Sequence, residues 1–399
     1  GAEFLMVPTC ATVALCVSSV TTQRVPPSPR YVNTPRFDAL EHGQEANAFF
    51  HQHGFAVYKG AAAAELEKAW DLFWQYLEGF GTGVRRSDPA TWTSDRWPSP
   101  MMANGILPFF GIGQSDFMWY LRALPRVQAA FTMLWGTDRL LASLDGVIMY
   151  RLQDPSIVAS AKYWWHVDQN PRSLPSFDCV QGIFQLTRTS EEVGGIVLIP
   201  GSHNMYPHFY EARYGELLDF VHPDMQFFAI PSWDPPTHEE LAPLAIQPHM
   251  EPGDLLIWNS TTLHCSTIGD TFANGNDRGG NWSASSLGRL AALLTMTPRE
   301  KASAEVLQRR KDAVCTGATT THWPHRYMDA AHHNILNWQA MSEEYKNSFR
   351  LPSPPVLSAL QLRLLGCTDE EAKRLSAGAS GRAPRRALCI GSQLTNRSR

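Results

Sequence analysis

The sequence lacks paired cysteines and is poor in charge. Its seven cysteines form no C-x-x-C pair and their number is odd, which argues against a disulfide framework or a zinc knuckle and makes a reducing compartment the default expectation. Only 18% of the residues are charged, against ~25% in typical soluble domains. The net charge of −4 gives no global electrostatic reason to expect nucleic acid as a partner.

The sequence also lacks a hydrophobic run long enough to cross a bilayer. The longest apolar run near the start, Ala11 to Val20, is far shorter than the ~20 residues that a spanning helix needs. Acidic residues are missing between Val7 and Arg36, where Ser, Thr, Pro and Arg accumulate. This composition indicates a disordered extension, with an organelle transit peptide as the alternative. The first five residues are interpreted as a cloning remnant, and we expect an intracellular protein, cytoplasmic or organellar.

Apolar and aromatic residues are plentiful, with 44% hydrophobic residues, 13 Trp and 19 Phe, so a large core is expected. Residues 37–80 follow the order helix, strand, helix, and the second helix carries an apolar stripe at steps of three and four. The stripe consists of Leu66, Trp70, Phe73, Leu77 and Phe80. Residues 85–108 have the composition of a loop. Residues 116–144 return to a helical spacing that is broken at Pro125.

From Gly146 onward the pattern changes to short β-rich segments bounded by Gly or Pro. The segments are Val147–Leu152, Cys179–Leu186, Ile196–Ile199, Asp254–Trp258 and Arg289–Met296. Such a set favours a sandwich or barrel, and the cupin-type jelly roll is one way to close it. The predicted fold class is therefore mainly β with flanking helices (α+β), built on a double-stranded β-helix core. Two irregular stretches interrupt the strands, residues 204–244 and 267–288, and the second is expected to be mobile.

His166 and Asp168 stand two residues apart in a β-like stretch, so both side chains can project from one face of a strand towards one ion. His264 ends an apolar strand that follows a Pro-Gly-Asp turn, and we expect it to face the same space; the alternative is a buried histidine bonded to backbone. Two imidazoles and one carboxylate match the 2-His-1-carboxylate triad that binds non-haem Fe(II). A rival pair, His222 and Asp224, flanks a proline, which favours a loop or edge setting.

Iron chemistry of this kind needs a second source of electrons, which a 2-oxo acid supplies, and the distal carboxylate of that acid needs a buried cation. Arg289 opens the strand that follows His264, and Ser266 stands two residues after His264 on the same side. We expect both to bind the co-substrate. The alternatives are an exposed strand cap for Arg289 and a purely structural hydroxyl for Ser266.

Candidates for substrate contacts flank the proposed ligands or share a strand face. They are Trp165, Gln169, Asn170, Gln181 and Gln185. The last two follow strand period two and could face the barrel interior together, where polar groups need partners. The remaining histidines lack a strand context and are interpreted as structural or surface residues. They include His203, His322, His325, His332 and His333.

Four stretches together resemble the phytanoyl-CoA dioxygenase family of Fe(II)/2-oxoglutarate-dependent oxygenases. They are His166–Pro171, Cys179–Gly182, Gly194–His203 and Pro252–Trp258 with His264. The resemblance runs roughly from Phe37 to Pro298. It implies iron at His166, Asp168 and His264, and 2-oxoglutarate paired with Arg289. Since Asp168 is present, a halogenase variant without the carboxylate ligand is disfavoured.

The sequence thus predicts an oxidoreductase that uses Fe(II), 2-oxoglutarate and O2, with ascorbate as a candidate reductant. It would hydroxylate an unactivated C–H bond of a small organic or acyl substrate and release succinate and CO2. The alternatives are a base-modifying oxygenase acting on nucleic acid and a non-catalytic cupin-like metal-binding protein. The predicted organisation has four parts: the extension (1–36), an oxygenase domain (37–298) with its jelly roll from about residue 146, a helical C-terminal extension packing on the core (299–375), and a basic flexible tail (376–399).

Overall fold

The structure, a computed structural model, describes residues 29–93, 95–98, 105–151, 164–231, 234–269, 287–327, 329–331, 343–350 and 355–377. The helices in chain order are α1 (Gly43–His53), α2 (Ala63–Glu78), α3 (Asp116–Arg122), α4 (Pro125–Trp135), α5 (His208–Leu218), α6 (Pro235–Leu241), α7 (Ala304–Thr316), α8 (Glu343–Ser348), α9 (Ala359–Leu365) and α10 (Asp369–Ala377). Among the described residues, no helix combines the length and the apolar character required to span a membrane.

The strands form two large, mainly antiparallel sheets and two small pairs. In chain order they are β1 (Arg30–Val32), β2 (Arg36–Phe37), β3 (Phe55–Lys59), β4 (Ile106–Leu107), β5 (Leu140–Ala142), β6 (Val147–Arg151), β7 (His166–Val167), β8 (Val180–Gln185), β9 (Gly195–Leu198), β10 (Phe228–Ala229), β11 (Ile246–Pro248), β12 (Asp254–Asn259), β13 (His264–Thr267), β14 (Leu287–Leu293), β15 (Met296–Pro298), β16 (Thr319–Thr320) and β17 (Asp329–Ala331). The six-stranded sheet has the order β1-β11-β9-β13-β7-β10, and the seven-stranded sheet the order β2-β3-β12-β8-β14-β6-β4.

The two sheets face each other across a shared apolar cluster. Leu256 and Trp258 of β12 contribute to it from the seven-stranded sheet, and Ile196 and Leu198 of β9 contribute from the six-stranded sheet. Because strand side chains alternate, the intervening Ile257 points outward, into the larger cluster that the helices cover. This double layer bears out the predicted fold class of a mainly β core with flanking helices.

Most helices cover the outer face of the seven-stranded sheet, whereas α5 and α6 pack on the outer face of the six-stranded sheet. The helix, strand, helix order predicted for residues 37–80 is present as α1, β3 and α2, and α1 ends at Gly54, whose φ of 80° suits a residue without a Cβ. The helical pattern predicted as far as residue 144 stops earlier. After α4 the chain turns at Gly136, with φ 67°, and β5 instead pairs with β15. The apolar run of β5 was ambiguous in sequence, since a short buried strand and a helix end look alike.

The N-terminal part of the described chain differs from the predicted organisation. The extension assigned to residues 1–36 ends earlier, because β1 pairs with β11 and β2 pairs with β3 as edge strands of the two sheets. Cys315 is disulfide-bonded, although the cysteine pattern had argued against a disulfide framework. The stretch predicted to be mobile, 267–288, lies mostly outside the described residues. The same is true of the basic tail, so both expectations stay predictions.

The C-terminal helices pack on the core through a buried arginine on α7. Arg310 is 1% exposed, and its guanidinium donates to the carbonyls of Ala142, Pro324 and Leu365. A guanidinium buried in this way stays stable only if its donors are paired. These bonds connect α7 and α9 to β5 and fix the segment that follows β16.

Candidate metal centre

Three of the predicted ligands converge at one end of the six-stranded sheet. His166 on β7 pairs directly with His264 on β13, and Asp168 follows β7. Val167 and Cys265, the neighbours in sequence, point instead into the cluster on the outer face of the sheet. One ligand atom from each of His166, Asp168 and His264 lies within 4.8 Å of the other two. This geometry can hold a single metal ion.

Backbone carbonyls orient both imidazole rings. Nδ1 of His166 lies 2.9 Å from the Trp164 carbonyl oxygen, and Nδ1 of His264 lies 2.9 Å from the Thr262 carbonyl oxygen. Because a carbonyl only accepts, each Nδ1 carries a proton, which leaves Nε2 as the nitrogen that faces Asp168 and that would bind a metal. The Nε2 atoms lie 3.5 Å (His166) and 3.0 Å (His264) from the carboxylate oxygens of Asp168.

The protonation states also suit a divalent cation. Burial, together with the neighbouring charge of His264, lowers the pKa of His166 to about 4, so this ring is neutral near pH 7. Burial alone would raise the pKa of Asp168, but the charge and hydrogen bond of His264, with help from His166, hold it well below its usual range. The site therefore presents one anionic carboxylate beside a neutral imidazole.

The rival pair has a different setting. The side chains of His222 and Asp224 are 72% and 90% exposed and lie 3.7 Å apart. Within the part of the chain that the structure describes, the only group of three or more potential ligands is the one at His166. The proline between His222 and Asp224 thus accompanies a surface turn, as the sequence indicated.

Arg289 lies inside the sandwich and is not an exposed cap. The residue is 2% exposed, and its position on β14, two residues before Ala291, directs it into the space between the sheets. It hydrogen-bonds Tyr150, whose hydroxyl donates to the Val193 carbonyl. Its Nε and Nη2 have no hydrogen-bond partner among the described residues. A buried cation with two free donors is an incomplete site that suits an anion.

Ser266 and Gln185 line the same space from opposite sheets. Ser266 stands two residues after His264 on β13 and therefore shares its face, whereas Gln185 on β8 pairs with Ala291 of β14. Both polar atoms of the Gln185 side chain are buried without a partner in the described regions. The interior next to Arg289 is thus polar on more than one side.

A comparison with known protein families matches the region of the chain that contains the proposed metal ligands. Residues 116–268 match the profile of the phytanoyl-CoA dioxygenase (PhyH) family. This segment is similar to the phytanoyl-CoA dioxygenase family over its matched length. It contains His166, Asp168 and His264, so the resemblance seen in the sequence motifs is confirmed.

The chain is also similar to a fungal protein and, more distantly, to several solved structures. "Ava biosynthesis cluster protein O" of Aspergillus versicolor is 26% identical over 303 residues, which are 75% of this chain and 92% of the relative. The epimerase SnoN is 17% identical, over 64% of this chain and 84% of its own, with a TM-score of 0.42. The GlcNAc Inducible Gene 2 protein of Candida albicans is 13% identical, over 91% and 88%, with a TM-score of 0.44. The similarity to the family rests on the sequence match.

Three residues predicted as substrate contacts are buried or hydrogen-bonded within the fold. Trp165 is fully buried on the outer face of the sheet, since it is one residue out of phase with His166. The Gln169 amide donates to the carbonyls at 174 and 176 and accepts from the amides at 178 and 179. Asn170 donates to the His222 carbonyl and accepts from the amides at 172 and 173. Gln169 and Asn170 thus hold the loop after β7, and the substrate role expected for the three residues stays a prediction.

Gln181 lies next to the carboxylate ligand. Its side-chain amide donates to Oδ2 of Asp168, and it is paired with Trp258 in the strand register of β8 and β12. A donor on a ligating carboxylate fixes the orientation of that carboxylate. Gln181 therefore positions Asp168, a more specific role than the substrate contact expected from its strand period.

The sequence interpretation missed His322, which follows β16 and lies outside the segment matched by the family profile. Its ring lies against the Asp168 backbone and interacts electrostatically with His264 and His166. Burial lowers the pKa of His322 to about 4, against the opposing charge of Asp168. No local pattern marked this histidine, because its position depends on how the C-terminal segment packs on the domain.

A charged cluster around Asp178 holds the segment that carries His322. The Asp178 carboxylate accepts from Nε2 of His325 at 3.1 Å, from Nζ of Lys301 at 2.8 Å and from Nη2 of Arg326 at 3.1 Å. Burial raises the pKa of Asp178, but the hydrogen bonds of His325 and Lys301 outweigh it and hold the pKa far below its usual range. Asp178 precedes β8, so the cluster fastens residues 322–326 to the metal-centre end of the sheet.

Asp178→Asn is expected to lower the free energy of unfolding by about 2 kcal/mol near neutral pH, because charged hydrogen bonds are lost. Since the folded pKa of Asp178 is depressed, its contribution is complete above the unfolded pKa of ~3.9 and is lost as the pH falls towards the folded pKa. The difference between wild type and variant, measured by urea unfolding, should therefore shrink between about pH 5 and pH 3.

Asp219→Asn is the matched control, because Asp219 pairs with Arg172 at the surface with 61% of its side chain exposed. Its unfolding free energy should stay within about 0.5 kcal/mol of wild type. If Asp178→Asn lowers the free energy of unfolding at neutral pH by as little as Asp219→Asn does, the Asp178 cluster does not hold the segment.

Proposed function

We propose that the protein is an Fe(II)- and 2-oxoglutarate-dependent dioxygenase that hydroxylates an unactivated C–H bond of a small organic or acyl substrate. The observation that carries the proposal is the combination of a three-ligand group with a buried, half-unpaired arginine in one interior space. A protein that only binds a metal has no need for a buried anion site beside the ligands. The match to the family at residues 116–268 supports the same activity.

The residues present fit iron and 2-oxoglutarate. His166, Asp168 and His264 would hold the metal and leave positions open, as a 2-His-1-carboxylate set does. Arg289 would bind the distal carboxylate of 2-oxoglutarate through the donors that lack partners, with Ser266 as a second donor. When bound, iron with 2-oxoglutarate and O2 supplies the oxidising power for C–H cleavage, with release of succinate and CO2.

The protein orients the proposed metal ligands and keeps them away from water. The Trp164 and Thr262 carbonyls fix the tautomer and direction of the two imidazoles. The Gln181 amide holds the Asp168 carboxylate. His264 is 4% and Asp168 5% exposed, and burial strengthens the attraction between these ligands and a cation because little water screens it.

The test is succinate formation by the purified chain with Fe(II), 2-oxoglutarate, O2 and ascorbate. We expect slow formation of succinate without added substrate, dependence on iron, and faster formation when a substrate is present. Binding of metal with neither 2-oxoglutarate binding nor turnover would favour the alternative of a non-catalytic cupin-like protein. Stimulation by nucleic acid alone, with salt-dependent binding, would favour the base-modifying alternative.

A further inference from the structure

His322 brings a third histidine to the metal centre from outside the segment that matches the family. It interacts electrostatically with all three proposed ligands, and its carbonyl lies 3.8 Å from Sγ of Cys179 at the start of β8. His322 nevertheless falls outside the group whose ligand atoms lie within 4.8 Å of one another. It is therefore placed beside the ligands and is not one of them.

The ring of His322 lies against the Asp168 backbone, yet its buried Nε2 atom has no partner with good hydrogen-bond geometry among the described residues. Leaving a buried polar nitrogen unpaired is costly, and such atoms are rare in folded proteins. The ring itself is held in place, because the Asp178 cluster fastens the segment three residues further on. A positioned polar atom without a partner, next to a proposed catalytic centre, points to a ligand group that pairs with it.

An exposed tryptophan and a partly buried phenylalanine adjoin the centre at His166. Trp164 is 41% exposed and stacks on the His166 ring with a centroid distance of 4.2 Å and an interplanar angle of 22°. Phe227 meets Trp164 edge to face at 5.6 Å. The two rings together offer an apolar face next to a proposed metal ligand.

The cations on the segments around the centre are already engaged. Lys301 and Arg326 pair with Asp178, and Arg172 pairs with Glu211 and Asp219. Arg289 is assigned to the co-substrate. An anionic substrate group at this centre would therefore lack a free counter-ion among these residues, which favours an uncharged substrate.

We propose that His322 is a substrate-binding residue that hydrogen-bonds an oxygen of an uncharged, mainly apolar, ring-containing substrate, whose apolar part packs on Trp164 and Phe227. This inference rests on the proposed function, since it concerns the substrate of the same centre. It narrows the proposed substrate class from small organic or acyl compounds to apolar ring compounds that carry an oxygen. It also gives the C-terminal segment a part in specificity.

The test compares substrates that differ only in the oxygen. The probes are uncharged polycyclic ketones and alcohols, the hydrocarbons with the same ring skeletons, and acyl-CoA thioesters of similar size. Stimulation of succinate formation gives KM and kcat for each, and the visible absorption band of the Fe(II)–2-oxoglutarate complex shows that the centre is loaded. We expect the ketones or alcohols to stimulate the wild type most.

His322→Ala should raise the KM of the oxygenated probes by about 10-fold, the worth of one buried hydrogen bond, towards the KM of the matching hydrocarbons. The KM of the hydrocarbons should hardly change, and His322→Gln should restore part of the discrimination. Trp164→Ala should raise the KM of both classes alike. His222→Gln, an exposed histidine, is the control and should alter neither KM.

The experiment distinguishes failure of the proposed function, of the substrate class and of the role of His322. If the wild type forms no Fe(II)–2-oxoglutarate band, the proposed function itself fails. If the band forms but acyl-CoA thioesters are preferred, or no probe of the panel stimulates turnover, the substrate class is overturned. If His322→Ala discriminates ketone from hydrocarbon as well as wild type, or loses its iron, the role of His322 in substrate binding is overturned. Thermal unfolding of each variant shows whether it is folded.

Discussion

Asp168→Ala is expected to lose stoichiometric iron and to reduce 2-oxoglutarate turnover by far more than about 100-fold. Loss of a group that merely orients a metal ligand already costs 10- to 100-fold in affinity or activity, and Asp168 is proposed as a ligand itself. It is also the anionic member of the group, which leaves two imidazoles facing the cation without charge compensation. Iron content after desalting, together with succinate formation at saturating iron, measures both effects.

The control for this change is Asp224→Ala, which removes the carboxylate of the other H-x-D pair. Asp224 is 90% exposed in its side chain, so its removal should leave iron content and turnover at wild-type values. Retention of iron in Asp168→Ala together with loss in Asp224→Ala would reverse the assignment of the pair. Urea unfolding of both variants separates loss of metal from loss of fold.

Arg289→Gln is expected to raise the KM for 2-oxoglutarate by roughly 30-fold to 1,000-fold while iron is retained. Truncating one partner of a buried charge pair costs about 2–5 kcal/mol, and each 1.4 kcal/mol is a factor of about 10 in affinity. Arg289→Lys should recover little of this loss, because an ammonium cannot replace a planar guanidinium that binds a carboxylate with two parallel bonds. Titration of 2-oxoglutarate into the iron-loaded protein measures the affinity.

Arg188→Gln is the matched control, since Arg188 is 68% exposed in its side chain and pairs with Glu251 at the surface. Its KM for 2-oxoglutarate should equal that of the wild type. An unchanged KM in Arg289→Gln would mean that the unpaired donors of Arg289 serve only the fold through Tyr150. Arg289→Gln is expected to retain iron and Asp168→Ala is expected to lose it. Each of the two predictions can therefore be contradicted without the other.

Local spacing was sufficient to predict the ligand group. The two-residue step from His166 to Asp168 places both on one strand face, and the turn and strand before His264 place it at a strand end. These relations follow from strand geometry, which repeats every two residues whatever the rest of the fold does. The same reasoning explains why the double layer and its flanking helices were predictable from apolar patterns.

The two-residue period of a β-strand was not enough to predict which residues face the site. Trp165 and Gln169 lie as close to the ligands in sequence as any residue, yet one is on the outer face and the other is bonded within its loop. Arg289 could have been an exposed cap, and only its strand pairing within the seven-stranded sheet puts it inside. Long-range pairing and hydrogen-bond saturation decide such cases, and neither is visible in a short stretch of sequence.

The sequence by itself indicated the β-rich core, the resemblance to the phytanoyl-CoA dioxygenase family and the three proposed ligands, because each depends on residue types within local strand and turn patterns. The tertiary structure alone decided the role of Gln181 beside Asp168 and the place of His322 beside the centre. His322 is more than 150 residues from His166 along the chain. It reaches the site because Asp178 and Arg310 fasten its segment to the core, and contacts between such distant parts of a chain arise only when the whole fold has formed.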